Sequence, residues 1–276
     1  MRAFASLAER VQRADGHPAF NEQTLLDLGS RVLKTVDREG VAIAAVAIGT
    51  TPDGVEAELA VDPDHRRQGI GTEVVEQLLA EAPGPLVVWA HGNHPGAVAL
   101  AERFGFRPVR SLLQLRAGVP AEASPWQRDD LALSAFRPGI DDEGWVALNS
   151  RAFAGHPEQG RLTVDDLRQR LGEPWFDPGD LLIARDRAGR MAGYCWLKVV
   201  AGLGEVYAIG VDPDHAGRGI GRALLQAGLD RLRARGVRTV LLYVEADNAP
   251  ALTLYRSMGF ADHAVDIRYR HDTGMG

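Results

Sequence analysis

Two stretches decide the fold: VDPDHRRQGIG at residues 61–71 and VDPDHAGRGIG at residues 211–221. They lie 211 − 61 = 150 residues apart. A second pair follows in the same order, AVALAERFGF at 97–106 and ALTLYRSMGF at 251–260, offset by 154. Two blocks in one order at nearly one offset mark an internal repeat. The chain therefore reads as two tandem domains of one fold, 1–122 and 123–276. Their junction falls near RAGVPAEASPWQRDD (116–130), which has no hydrophobic period.

Working outward, 276 residues suffice for two modest domains, each with its own core. Hydrophobic residues at 45% and charged residues at 25% exclude a largely disordered chain. The longest apolar run, 41–49, is far shorter than the roughly 20 residues of a membrane helix. The start, MRAFASLAERVQRAD, is amphipathic and lacks the apolar stretch of a signal peptide. A net charge of −6 argues against a nucleic-acid surface. The one cysteine, Cys195, has no partner for an internal disulfide and leaves no cysteine-based metal site. These features predict a cytoplasmic monomer with no metal, no membrane contact and no nucleic-acid partner.

Both halves carry the same α/β pattern with a mixed sheet. In the second, Leu131–Phe136 reads as a strand, DDEGWVALNSRAF as a helix, and Thr163 as the cap of VDDLRQRL. Leu181–Ala184 and Ala192–Val200 form a hairpin turned at Asp186–Arg190. Glu205–Val211 is a strand, and a helix runs from Gly219 to Arg235 with Leu225, Leu229 and Leu232 on one face. The apolar run Val240–Val244 suits a strand covered on both sides. Asn248 or Asp247 caps a helix at Ala249–Met258, and a last strand follows. The first half repeats this with strands Val41–Ile48, Glu56–Val61 and Leu86–Ala90, and helices beginning near Gly69 and Pro95. His91 and His94 in HGNHPG have no neighbouring carboxylate or cysteine in the sequence and read as loop residues rather than metal ligands.

A strand, an Asp-Pro, a glycine turn and a helix form a recognisable sequence. Gly219 and Gly221, like Gly69 and Gly71, tolerate positive φ and leave backbone N–H groups exposed at a helix N-terminus. Those donors and the helix dipole suit a pyrophosphate. The third glycine of a dinucleotide fingerprint is missing, with Val74 and Leu224 in its place, and the turn lies late in each half. A tight structural turn accounts for either copy taken alone.

The full order of strand, [Q/R]-x-x-G-x-G, helix, strand, Asn, helix and Tyr-x-x-x-Gly-Phe resembles the acetyl-coenzyme-A site of the GNAT acetyltransferase superfamily, in both halves. More narrowly, AFAGHPEQG (152–160), GEPWFDP (172–178), GEVYAIGVDP (204–213) and LLYVEADN (241–248) are similar to runs of the mycothiol synthase family. The resemblance implies two tandem GNAT domains and an acetyl-CoA-dependent N-acetyltransferase. It implies acetylation of the cysteinyl amine of a cysteinyl-glucosaminyl-inositol, the last step of mycothiol biosynthesis. Acetyl-CoA is the implied co-substrate and a small-molecule amine the implied partner. Acetyl-CoA contacts carry over to Leu59, Ala60, Val61, Arg66, Arg67, Gln68, Gly69, Ile70 and Gly71 in the first half. In the second they carry over to Ile209, Gly210, Val211, Ala216, Gly217, Arg218, Gly219, Ile220, Gly221, Arg222, Asn248, Ala249, Pro250, Ala251, Leu252 and Thr253. The second turn departs from the pattern at Ala216-Gly217, where the superfamily prefers Gln or Arg first.

The repeat separates the halves. The superfamily commonly uses a carboxylate beside a bulged strand as base and a tyrosine on the next helix to protonate the thiolate. Glu205 and Tyr255 fill those places, and their counterparts in the first half are Val55 and Ala101. The first domain is thus expected to be catalytically inactive and the second catalytic. The reaction is aminolysis of a thioester. An α-amine of pKa about 7.7–8.0 is partly neutral near pH 7, so positioning carries much of the rate. Backbone N–H groups near Gly210–Val211 suit polarisation of the carbonyl. The resemblance also assigns Glu22, Glu158, Lys198, Glu205 and Tyr243 to the acceptor. Two alternatives stay open on the residues alone: a GNAT enzyme of another small amine or peptide, and a non-catalytic acetyl-CoA-binding regulator. Glu205 and Tyr255 argue against the second.

Overall fold

The first helix, α1 (Arg2–Asp15), turns Phe4, Leu7 and Val11 inward against Phe20, Ala45, Ala47 and Ala60. The computed structural model describes residues 2–26, 28–51, 54–155 and 159–272. After α1 comes the short α2 (Glu22–Leu26), capped by Asn21, whose Oδ1 accepts the Thr24 N–H at 2.7 Å. Strands β1 (Val32–Arg38), β2 (Val41–Thr51) and β3 (Gly54–Val61) form an antiparallel meander. Then follow α3 (Ile70–Glu81), β4 (Leu86–Ala90) parallel to β3, α4 (Pro95–Arg103) and β5 (Arg107–Gly118).

The second half repeats the order. β6 (Leu131–Ala135) precedes α5 (Asp142–Ala152) and α6 (Val164–Leu171), the latter opened by a capping box of Thr163 and Asp166. β7 (Leu181–Asp186), β8 (Met191–Val200) and β9 (Leu203–Val211) are antiparallel neighbours. Next come α7 (Ile220–Ala234), β10 (Thr239–Glu245) parallel to β9, α8 (Ala249–Ser257) and β11 (Ala261–His271). No helix among the described residues is long and apolar enough to cross a membrane.

The chain divides into two compact units. Unit 1 holds Met1–Leu113 with Glu245–Asp247 and Ala264–Gly276; unit 2 holds Gln114–Val244 with Asn248–His263. In unit 1 the strands run β1-β2-β3-β4-β11, and in unit 2 β10-β9-β8-β7-β6. The repeat assigns the last strand to the second segment, yet Ile267–His271 of β11 pair antiparallel with Ala90–Leu86 of β4 in unit 1. The apolar LVVWA of β4 needs a neighbour on each edge, and β3 covers only one.

The repeated VDPDH is a turn device. Asp62 and Asp212 each cap a one-turn 3-10 helix, accepting the Asp64 and Asp214 N–H groups at 3.1 and 3.0 Å. Each carboxylate also meets an arginine from its own unit: Arg10 of α1 at 2.7 Å, and Arg151 of α5. Burial pushes both carboxyls up, and the arginine and backbone hydrogen bonds more than reverse it, so both lie below the usual carboxylate value. Unit 2's core gathers Trp145, Leu148, Leu167, Tyr194 and Trp196 under α5 and α6.

Candidate active site

The second glycine turn needs two left-handed residues. Gly217 has φ +73 and Gly219 has φ +74. In unit 1 the matching positions are Gly69 at φ +87 and Arg67 at φ +62, so a side chain there sits in a conformation that favours glycine. The departure at Ala216-Gly217 thus relieves backbone strain in the turn. Neither α3 nor α7 has a side-chain cap on its first turn. The opening N–H groups of a helix have no intrahelical acceptor, so they face the exposed turn as a set of donors. Arg128 flanks the second turn, donating from Nη1 to the Arg218 carbonyl at 2.6 Å while pairing with Asp130.

Three elements converge behind this turn. A Cβ built on Gly221 meets Leu254 of α8 at 3.6 Å and Val211 of β9 at 3.7 Å. Ile209–Val211 end β9, Ala216–Arg222 form the turn, and Asn248–Thr253 open α8, all in unit 2. Asn248 Oδ1 accepts the Ala251 N–H at 3.1 Å and caps α8. Arg222 is turned onto Ser257.

β9 carries a bulge. Trp196 of β8 faces Ala208, but the next residue, Leu197, faces Val206, so Tyr207 is the extra residue. The parallel ladder of β9 with β10 runs from Leu203–Thr239 to Val206–Leu242 and, among the described residues, ends there. The ends of the two strands thus leave a wedge bounded by Tyr207–Val211 and Tyr243–Val244, within unit 2. Gly210 faces the α5 side; a Cβ there stands 2.7 Å from the Tyr194 ring and 3.2 Å from Phe153, so only glycine fits. Glu205, half-buried, stands opposite Lys198. The Tyr243 hydroxyl accepts from Gln114 Nε2 at 2.6 Å. Tyr255 on α8 is 7% exposed, its ring 5.9 Å from Phe260, and burial pushes its phenol well above the usual value.

Comparison with known proteins matches the family described as "Acetyltransferase (GNAT) family" to residues 4–106 and again to 145–260. The chain belongs to the GNAT acetyltransferase family. It is 53% identical, over 98% of its own length and 91% of the relative's, to the mycothiol acetyltransferase of Clavibacter michiganensis subsp. michiganensis. Among solved structures it resembles a GCN5-related N-acetyltransferase from Sphaerobacter thermophilus, with TM-score 0.74 and 26% identity, covering 99% of this chain and 93% of that one. A tandem GNAT protein from the clavulanic acid biosynthesis pathway shares the fold at TM-score 0.75 and 18% identity, covering 99% and 95%.

GNAT membership implies acetyl-CoA as co-substrate. The uncapped first turn of α7 and its two left-handed glycines fit a pyrophosphate, because backbone donors gather at a helix N-terminus beside the Arg128 guanidinium. As a GNAT fold, unit 1 keeps the turn but differs around it. Arg66 forms a two-pronged ion pair with Asp15 at 2.8 and 2.7 Å and donates to the Val61 carbonyl, so its guanidinium is committed to α1 and β3. Gln68 accepts from Arg38 at 3.2 Å. The register of β3 on β2 is uninterrupted from Val61 to Gly54, and its ladder with β4 reaches Glu58–Trp89.

His91 requires a correction. It is not a simple loop residue: Nδ1 lies 3.0 Å from Asp266 of β11 and Nε2 lies 3.4 Å from Glu58 of β3. Glu58 is fully buried and accepts the Asn21 N–H at 2.8 Å, the Asn21 amide at 2.5 Å and the Thr24 hydroxyl at 2.7 Å. These partners anchor α2, which begins at Glu22. Burial works against charge on His91, yet the Asp266 and Glu58 hydrogen bonds outweigh it and raise its pKa to about 9. Among the described residues no group of three or more His, Cys, Asp or Glu is suited to a metal. Cys195 is buried and its thiol is pushed up to about 12 by burial. Glu158 lies outside the described residues.

Proposed function

We propose that this acetyltransferase moves the acetyl group of acetyl-CoA to the cysteinyl amine of a cysteinyl-glucosaminyl-inositol, in mycothiol biosynthesis, and that unit 2 carries the turnover. The observation that carries this reading is the 53% identity over 98% of the chain to a relative named mycothiol acetyltransferase. For unit 2, the support is the β9 bulge, which β3 lacks, and a parallel ladder that stops five residues before the end of β9 against three before the end of β3.

Each residue then has a task. The N–H groups of residues 217–222 hold pyrophosphate oxygens, and the start of α8 at Asn248–Thr253 closes the other side of the pantetheine path. N–H groups near Gly210 and Val211 donate to the thioester carbonyl as its oxygen gains charge. The cysteinyl amine attacks the carbonyl carbon, a C–N bond forms, and the C–S bond breaks. Glu205 takes the amine proton, directly or through water. Tyr255, kept protonated by burial, offers its O–H to the departing sulfur. Lys198 and Tyr243 hydrogen-bond the polyol, and the family resemblance adds Glu22 and Glu158. The acceptor's own thiol is a competing nucleophile, so the site must aim the amine. The single buried cysteine and the net charge of −6 support a cytoplasmic enzyme of small molecules.

The test is purified protein with acetyl-CoA and a panel of amines, read as thiol release corrected for the acceptor's thiol. The cysteinyl sugar is expected to outcompete polyamines, aminoglycosides and peptide amines. Preference for any of those overturns the acceptor assignment.

A further inference from the structure

Lys198 is held in an unusual setting. Its Nζ lies 5.0 Å from the centroid of the Trp175 ring and 5.5 Å from that of Tyr207. The two rings touch each other at 5.0 Å, and both pack on Trp196, at 5.9 and 5.2 Å. Trp196 is itself buried edge-on against Trp145 at 5.3 Å. Arg170 of α6, 9% exposed, donates from Nε to the Tyr207 hydroxyl at 3.2 Å and from Nη1 to the Asp166 carbonyl. The clamp thus stands on the rigid core of unit 2 rather than on a loose surface.

The bulge falls at Tyr207 itself. In an uninterrupted strand Tyr207 would stand opposite Trp196, and Ala208 would turn to the other face. With the extra residue, Ala208 faces Trp196 and Tyr207 stays on the same side, next to Glu205 and its cross-strand partner Lys198. Tyr207 shares the face of Glu205 and Lys198, as residues i and i+2 of one strand do, and the bulge leaves it there unpaired beside the lysine.

We propose that Trp175 and Tyr207 are positioning residues, which fix the Lys198 ammonium for the hydroxyl oxygens of the polyol acceptor. The inference rests on the acceptor role given to Lys198 under the proposed function. Two π faces attract the ammonium and set its place with little loss of its capacity to donate. A lysine on a free four-carbon stem would lose more side-chain entropy on binding.

Steady-state kinetics with acetyl-CoA and the cysteinyl sugar test it. Trp175→Leu and Tyr207→Leu are expected to raise the acceptor KM roughly five- to thirtyfold, the size of a desolvated cation–π contact. The KM for acetyl-CoA and the kcat should stay within about threefold, as expected when only acceptor binding is lost. Tyr207→Phe keeps the ring and should restore the acceptor KM. Replacing Tyr207 by pentafluorophenylalanine keeps the shape and removes the attractive face, so it should behave like the leucine variant even if that variant folds poorly. In a Lys198→Met background, loss of either ring should change KM no further. An acceptor KM indifferent to the fluorinated ring overturns the proposal, as does an equal cost of ring loss with and without Lys198. Should the wild-type protein prefer another amine, the functional reading fails first, and the same cycle run on that amine decides the clamp by itself.

Discussion

His91 offers a direct test of how unit 1 is held together. The imidazole is 11% exposed and sits between Asp266 at 3.0 Å and Glu58 at 3.4 Å. Its pKa rises from 6.5 to about 9 on folding. A raised folded-state pKa contributes stability that is fully present below the unfolded value of 6.5 and is lost as pH climbs through about 9. At 1.36 kcal/mol per unit, the shift corresponds to about 3 kcal/mol at pH 5.5, falling well below 1 kcal/mol by pH 9.5. Above that pH two carboxylates face each other across a neutral ring, and the link from β11 to Glu58 weakens. His91→Gln keeps a donor but removes the titration. Urea unfolding of both proteins between pH 5.5 and 9.5 isolates the term, because other groups cancel in the difference. The wild-type advantage should be greatest at the acid end and shrink through pH 7–9, with a melting difference of about 5–10 °C at pH 6. An advantage that is flat across this range means that His91 is neutral in the native protein, and the reasoning is wrong.

Further outcomes follow from the turn, α8 and the core. Gly221→Trp fills the space between α7, Leu254 and Val211, so it should abolish acetylation; Gly71→Trp, in folded protein, should leave measurable turnover, and equal loss from both refutes the assignment of catalysis to unit 2. Tyr255→Phe removes only a hydroxyl and should lower kcat at least tenfold with little change in the KM for acetyl-CoA; an unchanged kcat with chemistry rate-limiting rules out the role. Cys195, with its thiol pushed up to about 12 and no exposed surface, should resist iodoacetamide at pH 8 in native protein and react only on unfolding; rapid native labelling contradicts its placement under α7.

Much of this was legible because it is local. The repeat announced one fold twice, and both glycine turns and the Asn248 cap lie where local backbone chemistry puts them. Helices α3, α4 and α7 begin as their capping residues and glycines predict. The resemblance implied a bulged strand beside Glu205, but its place at Tyr207 was hidden, because LGEVYAIGV and the matching stretch of β3 have the same spacing to VDPDH. A bulge changes pairing, not length, and one strand read alone does not reveal its partner's register. The partners of His91 were hidden for another reason: Glu58 and Asp266 are 33 and 175 residues away in sequence. The strand carrying Asp266 reads as part of the second copy, although it pairs with β4. Arg66 and Gln68 matched a nucleotide-binding pattern, but their partners Asp15 and Arg38 carry no local signal of it.

The two copies of the fold differ most where the chemistry is demanding. At the 150-residue offset Glu58 takes the place of Ala208. In unit 2 a small side chain borders the wedge, and N–H groups there can meet a carbonyl oxygen that gains negative charge. In unit 1 a buried carboxylate already collects the Asn21 N–H and amide, the Thr24 hydroxyl and His91. Negative charge at that point opposes a developing oxyanion, whatever the turn behind it can hold. Removing Glu58 alone does not recreate the site, because β3 lacks the extra residue that ends the β9–β10 ladder. The same network explains why a copy without Glu205 and Tyr255 counterparts keeps its form. Its polar groups are spent on holding α2 and β11, so the stretch of β3 that matches the proposed site on β9 serves as a structural anchor.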